Sequence, residues 1–132
     1  MSYTYRIYSE QQLVMINLSG DITGTTFIEA MLAFADDPKF RPGYDRIWDM
    51  TQITAIDMDF EDIKEHQRKA REIHDRMGAG RSVLVAQREA FVTISHLYRA
   101  MLPWQVDVAR DLGAALALLG KQLPDAVAGE DA

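Results

Sequence analysis

With 132 residues, 48% of them hydrophobic and 26% charged, the chain is long enough to bury one core and too short for two. A formal net charge of −6 repels phosphate backbones and argues against general nucleic-acid binding. Cysteine is absent, which excludes disulfides, thiolate metal sites and cysteine nucleophiles and fits a reducing compartment.

The first residues carry no basic stretch followed by a long apolar run, so no secretory leader is expected. No apolar stretch approaches the ~20 residues needed to span a bilayer. The expectation is a soluble, cytoplasmic protein.

Tyr3 to Tyr8 alternate: Tyr3, Tyr5 and Ile7 point one way, Thr4, Arg6 and Tyr8 the other. This predicts a half-buried strand. A polar turn, Ser9 to Gln12, leads to a second strand over Leu13–Leu18, and so short a link predicts a hairpin. Gly20 to Gly24 breaks the pattern. Thr23 is an N-cap candidate, and Thr26 with Glu29 forms a candidate capping box one turn on. Phe27, Ile28, Met31, Leu32 and Ala35 then repeat at helical spacing until Asp36-Asp37-Pro38, where proline stops the helix.

Tyr44 to Met50 is the third strand, with Arg46, Trp48 and Met50 on one face. A strand-helix-strand connection implies a parallel pair. A polar turn is expected after Asp49. Asp59 is then the N-cap of a second helix, with Asp62 three residues on. Phe60, Ile63, Gln67, Ala70, Ile73, His74 and Met77 are its expected inward stripe. Glu65 with Lys69, Arg68 with Glu72 and Arg71 with Asp75 are its expected i,i+4 pairs. Residues 59–81 hold six acids and six bases, which reads as a solvated helix rather than a basic face. Gly78 and Gly80 end it.

Ser82 to Ala86 is a fourth strand. Phe91, Ile94, Leu97, Tyr98, Met101 and Leu102 define a third helix, stopped by Pro103. Trp104 to Ala109 alternates as a fifth strand. Asp111 caps a fourth helix whose apolar face is Leu112, Ala115, Leu116 and Leu119, ended by Gly120. The chain therefore reads as a single α/β domain over residues 1–120: a five-stranded mixed sheet covered by about four helices, with an opening β-hairpin whose first strand is an antiparallel edge. Residues 121–132 are expected to be a flexible tail.

The element order resembles the STAS domain, and more narrowly the SpoIIAA-like proteins of the STAS/CRAL-TRIO type. The matching pieces are L-V-M-I-N-L-S-G-D-I-T at residues 13–23, A-D-D-P-K-F-R-P-G at 35–43, I-W-D-M-T at 47–51 and V-A-R-D-L-G-A-A-L-A-L-L-G at 108–120. They span roughly residues 3–120. The resemblance implies a SpoIIAA-like fold and a non-enzymatic bacterial regulatory module that docks a protein partner. Sporulation-type STAS domains carry D-S-[ST]-G at the start of the second helix, where a hydroxyl is phosphorylated. The matching positions are Asp57, Met58, Asp59 and Phe60. Asp59 stands at the phosphoacceptor and Phe60 at the glycine. The phosphoacceptor hydroxyl is missing, so a fixed charge near −1 replaces a switchable phosphate.

Asp49, Thr51, Thr54, Asp57, Asp59, Phe60 and Ile63 are accordingly the candidate partner-binding residues. Asp49, Asp57 and Asp59 form the one acidic cluster worth weighing for a hard cation, but capping and loop hydrogen bonds explain them better, and no metal is expected. His66, His74 and His96 make no zinc pattern, Ser82 and Ser95 lack a nucleophile elbow, and no catalytic residue is assigned. Tyr98, Met101, Leu102 and Trp104 cluster near Pro103 and, with Phe91, form the alternative site, a pocket for a lipid or small apolar ligand. An open space between helices and sheet would favour that alternative, and a filled core would count against it. No cofactor is expected. The hairpin edge or an exposed apolar helix surface would serve a homodimer.

Overall fold

The alternation of the first eight residues is satisfied by pairing. In the computed structural model, which describes residues 2–102 and 104–124, β1 (Tyr3–Tyr8) runs antiparallel to β2 (Leu13–Thr23), with Tyr3 opposite Leu18 and Tyr8 opposite Leu13. The link between them is so tight that Gln12 adopts a left-handed φ of 54°. Next come α1 (Gly24–Ala35), β3 (Asp45–Asp57), α2 (Phe60–Glu72), the one-turn α3 (His74–Met77), β4 (Ser82–Val85), α4 (Glu89–Met101), β5 (Val106–Ala109) and α5 (Leu112–Leu119). The strands form one mixed sheet in the order β1-β2-β3-β4-β5, antiparallel at the β1 edge and parallel elsewhere. This is the α/β architecture the sequence predicts.

The sheet has two unequal faces. Val14, Ile16, Leu18, Trp48, Met50, Leu84 and Val106 lie in the large core with Phe27, Met31 and Phe34 of α1, Ile63 and Ala70 of α2, and Phe91, Val92 and Tyr98 of α4. The opposite face carries Leu13, Met15, Ile47, Val83, Val85 and Ala109, and α5 covers it with Ala115, Leu112, Leu116 and Leu119. Strand β4 is buried on both sides, which is why Ser82–Val85 reads as a continuous apolar run rather than an alternation. No helix among the described residues is long and apolar enough to cross a membrane.

Several boundaries differ from the sequence reading. Strand β2 continues past Leu18 to Thr23, and β3 continues past Met50 to Asp57, so the expected polar turn after Asp49 is strand instead. The two polar segments pair with each other, from Ser19–Gln52 to Thr23–Asp57, with irregularities between Asn17 and Ser19 and between Gly20 and Asp21. Each supplies the backbone partners the other needs, and Ile22 and Ile53 turn inward. On β3, strand β4 pairs only with the stretch Arg46–Asp49. Beyond Asp49, β3 keeps β2 as its one strand neighbour, and the two overhang the sheet as a ribbon.

The second helix also departs from its expected stripe. Its inward residues are Ile63, His66 and Ala70, continued by Ile73 and Met77. Phe60 is in phase with them but is the first residue of the helix, and it lies 58% exposed. His74 is exposed, because the helix breaks at Ile73 (φ −108°, ψ 15°) and restarts as α3, a fifth helix the periodicity did not separate. Of the expected ion pairs, Arg68–Glu72 forms; Arg68 also bonds Glu65, and Lys69 pairs with Glu72 at 3.6 Å. Trp104 precedes β5 rather than opening it.

Gly120 ends α5 with a left-handed φ of 66°. Directly after it, the Lys121 ammonium lies 2.8 Å from the Asp45 carboxylate and donates to the Gln12 carbonyl at 2.8 Å. Leu123 packs on the α5 side of the core. The remainder of the expected tail, 125–132, and the Pro103 helix stop lie outside the described residues.

Candidate functional site

The candidate partner face forms where the β2–β3 ribbon hands over to α2. Asp59 has extended backbone (φ −115°, ψ −176°) and caps the helix as its sequence position predicts. The Asp62 N–H donates to Asp59 Oδ1 at 2.9 Å, and the Asp59 N–H donates to Asp62 Oδ2 at 2.9 Å. Two otherwise open amides are thus closed reciprocally. A third acid, Glu61, stands in the same first turn, where the helix dipole favours negative charge. Removing the cap is expected to be mild. Asp59→Ala should lower stability by about 0.5–2 kcal/mol in urea unfolding, while Asp59→Ser, which keeps an accepting oxygen, should lose less.

The start of α2 abuts the start of α1. A Cβ on Gly24 would lie 2.3 Å from Asp62 Cγ, so the absence of a side chain at Gly24 lets the two helix ends meet. Farther up the ribbon, the Thr54 hydroxyl donates to Asp21 Oδ1 at 2.6 Å, and the Arg88 guanidinium donates to the Thr54 carbonyl at 3.1 Å. Asp49 accepts from both the N–H and the hydroxyl of Thr51, at 2.9 and 2.6 Å. The local backbone is held in place by side chains within this region.

The seven candidate residues therefore separate. Thr54, Asp57, Asp59 and Phe60 are exposed, and Asp49 and Thr51 are half-buried. Ile63 is buried in the core and offers a partner nothing. Asp49, Asp57 and Asp59 do not converge: among the described residues no group of three carboxylates or imidazoles could hold a metal ion. Phe60 stands among Asp57, Asp59 and Glu61, with the Lys64 ammonium 5.8 Å from its ring centroid. It is a large apolar side chain held out from the rigid, capped start of a helix.

The alternative pocket is reorganised. Tyr98, Leu102 and Trp104 line one enclosed cavity, but with Phe27, Trp48, His66, Ser82, Leu84 and Val106 rather than with Phe91 and Met101. Phe91 instead lines a small space beside Arg88 and Ile53. The enclosed cavity offers about 10 Å³ to the centre of a water-sized body, room for one water. The core at this place is filled, which counts against a lipid or apolar-ligand pocket.

Two polar residues are buried here, His66 in the lining of this cavity and Arg46 next to it. His66 is 2% exposed, its ring centroid 4.9 Å from Tyr98 and 6.1 Å from Phe27. Burial pulls its imidazole down to about 3, so it is neutral. Arg46 is fully buried. Its Nε donates to Ser82 Oγ at 3.1 Å, its Nη1 donates to the Tyr44 carbonyl at 2.8 Å, and its guanidinium carbon lies 5.1 Å from the Trp104 ring centroid. Burial lowers its pKa to about 10, against the Asp45 carboxylate, which raises it. Burial, with the Asp62 carboxylate second, pushes the Tyr98 hydroxyl above the usual phenol range. The available signal for Arg46 was its place in an apolar strand face with Trp48 and Met50. For His66 it was the i+3 step from Ile63. Of the other histidines, His96 is exposed beside an open groove between α4 and α5.

No protein-family model matches the chain, and no curated protein matches it in sequence. A solved structure does: an uncharacterised protein of the DUF3478 family from Shewanella loihica PV-4, described as having a SpoIIAA-like fold. It is 16% identical, the match covers 89% of this chain and 94% of that one, and the TM-score is 0.61. The chain thus has the SpoIIAA-like fold that the sequence resemblance implies.

Proposed function

We propose that this chain is a non-enzymatic, STAS-type module that binds a protein partner through the end of the β2–β3 ribbon and the first turn of α2, in bacterial regulation and in the cytoplasm. One observation carries the reading. Phe60 is the most exposed large hydrophobic side chain among the described residues, and it belongs to a doubly capped helix start whose sequence neighbours include Asp57, Asp59 and Glu61. A solvated phenyl ring on rigid backbone costs little conformational entropy to bury, which is the property of an interface anchor. The surrounding acids favour a partner with an apolar socket and a basic rim.

This surface coincides with the positions matched to the sporulation-type phosphoacceptor pattern. With Asp59 there, the charge is permanent and its carboxylate is engaged as a cap, so docking is constitutive and needs neither kinase nor cofactor. Native mass spectrometry on protein purified gently from its own source tests the reading. A heterocomplex is expected. Phe60→Ala should weaken it by about 30-fold or more, the scale of an interface anchor, without moving the melting temperature. A complex that survives Phe60→Ala undiminished would remove Phe60 from the interface, and a chain found only alone or as copies of itself would count against the reading as a whole.

A further inference from the structure

Helix α5 is apolar on every side. Its sequence, L-G-A-A-L-A-L-L, contains no polar side chain. One side packs on the sheet, yet Gly113, Ala114, Ala117 and Leu118 are exposed, and Leu118 keeps 43% of its surface open. A surface helix ordinarily turns a polar side to water, and one that is hydrophobic all round is ordinarily covered. The exposed side of α5 borders an open groove of about 610 Å³, walled by Ala114, Ala117 and Leu118 of α5, Val108 of β5 and His96 of α4.

The same groove lies along an open sheet edge. Among the described residues β5 pairs with β4 alone. The Ser82 N–H donates to the Gln105 carbonyl at 2.9 Å, and the Ala86 N–H donates to the Ala109 carbonyl at 3.0 Å. Backbone groups alternate in direction along a strand, so Gln105, Asp107 and Ala109 address β4, while the N–H and C=O of Val106 and Val108 point away from it. Such an edge is a template for another strand. At four residues β5 offers only a short ladder, so a lasting contact must also use the apolar surface of α5.

We propose that a second copy of this chain covers the groove: β5 pairs antiparallel with its twin about a two-fold axis at Val108, and α5 packs beside the α5 of the other copy. Charge selects the register. An axis at Asp107 would set two Asp107 carboxylates face to face, and an axis at Ala109 would set Asp107 opposite Asp111 twice. An axis at Val108 places Asp107 opposite Ala109 and Val106 opposite Arg110, so no like charges meet. That axis stands normal to the sheet and keeps each helix on its own face, so the exposed apolar side of α5 meets the same surface of its twin. The side chains there carry no charge and no hydrogen-bonding group with which to select a foreign sequence, and they are complementary to themselves. The inference does not rest on the docking surface at Phe60.

Sedimentation equilibrium of the whole protein across the micromolar range tests it. A species of twice the 15.0 kDa chain mass is expected. Leu118→Glu brings a negative charge from each copy into the covered surface and should weaken the dimer by about tenfold or more, with the circular dichroism spectrum kept. Phe60→Ala should leave the dimer intact. The chain has no cysteine, so single cysteines report the register. On mild oxidation Val108→Cys should form a disulfide with its own copy, because residues that exchange both backbone bonds have Cα atoms about 5.5 Å apart. Thr4→Cys, on the opposite sheet edge, should not. If Leu118→Glu fails to fold, the two cysteine variants decide. A protein that stays monomeric overturns the proposal. So does a dimer that a folded Leu118→Glu leaves undiminished, one lost with Phe60→Ala, or one that Thr4→Cys locks and Val108→Cys does not.

Discussion

Phe27→Ala is expected to lower the unfolding free energy by about 3–5 kcal/mol, the range for truncating a buried aromatic side chain. Phe27 is 1% exposed, and its ring centroid lies 5.2 Å from Tyr98, 5.7 Å from Trp48 and 6.1 Å from His66. One side chain of α1 thus touches β3, α2 and α4 at once. It also lines the enclosed cavity, so its removal would enlarge an existing void rather than open a separate one. The neighbours are rings, which cannot collapse into the gap as flexible aliphatic chains can. Urea unfolding monitored by tryptophan fluorescence gives the number. A loss below about 1.5 kcal/mol would mean that the core closes over the gap and that Phe27 is not its hub.

Acid is expected to destabilise the protein through His66. Its folded imidazole is held down to about 3 by burial, while the unfolded chain takes up the proton near 6.5. The folded state therefore binds fewer protons below pH 6.5. The stability that neutral His66 contributes is full above that pH and is lost as the pH falls towards 3. The slope approaches about 1.4 kcal/mol per pH unit below pH 6.5, a loss on the order of 2 kcal/mol by pH 4.5. Asp37 acts lower. The Lys39 backbone amide and the Tyr5 hydroxyl hold its carboxyl below the usual range, so its contribution is lost only as the pH falls below about 4. Urea titrations in gluconate buffer at steps from pH 7 to 4.5 should show the His66 slope, and His66→Phe should flatten it. The same slope in His66→Phe would assign the effect to other groups.

The sheet was legible in the sequence because its signals are local and periodic. Alternation in Tyr3–Tyr8, the apolar run of β4 and the caps at Asp59 and Asp111 each follow from a few adjacent residues. The ribbon was not legible. Ser19–Thr23 is mostly polar and contains a glycine, Gln52–Asp57 mixes polar and apolar residues without a clean alternation, and they become strand only because each finds the other across the sheet. Phe60 shows the same limit at a helix: its phase is right for the core, but phase does not reveal that nothing covers the first turn. The histidines were exchanged for a similar reason. His74 follows the apolar spacing across residue 73, where the helix breaks, whereas His66 was hidden among charged neighbours on the line from Ile63 to Ala70. Arg46 shared a face with Trp48 and Met50, yet full burial of a guanidinium depends on Ser82, Trp104 and the close approach of Gly80, none adjacent in sequence.

The strand order also bears on how the chain is made. Each strand pairs with the one synthesised just before it, so the sheet can grow by one strand at a time as the polypeptide leaves the ribosome, with no strand waiting for a distant partner. The helices α1, α2 and α4 arrive between strands and close the larger core as it forms. The other face has no such escort. Leu13, Met15, Ile47, Val83 and Val85 wait for α5, which follows the last strand. A chain stalled before residue 112 would present a ready-made apolar sheet surface, the form of nascent protein that chaperones hold and that aggregates when they do not.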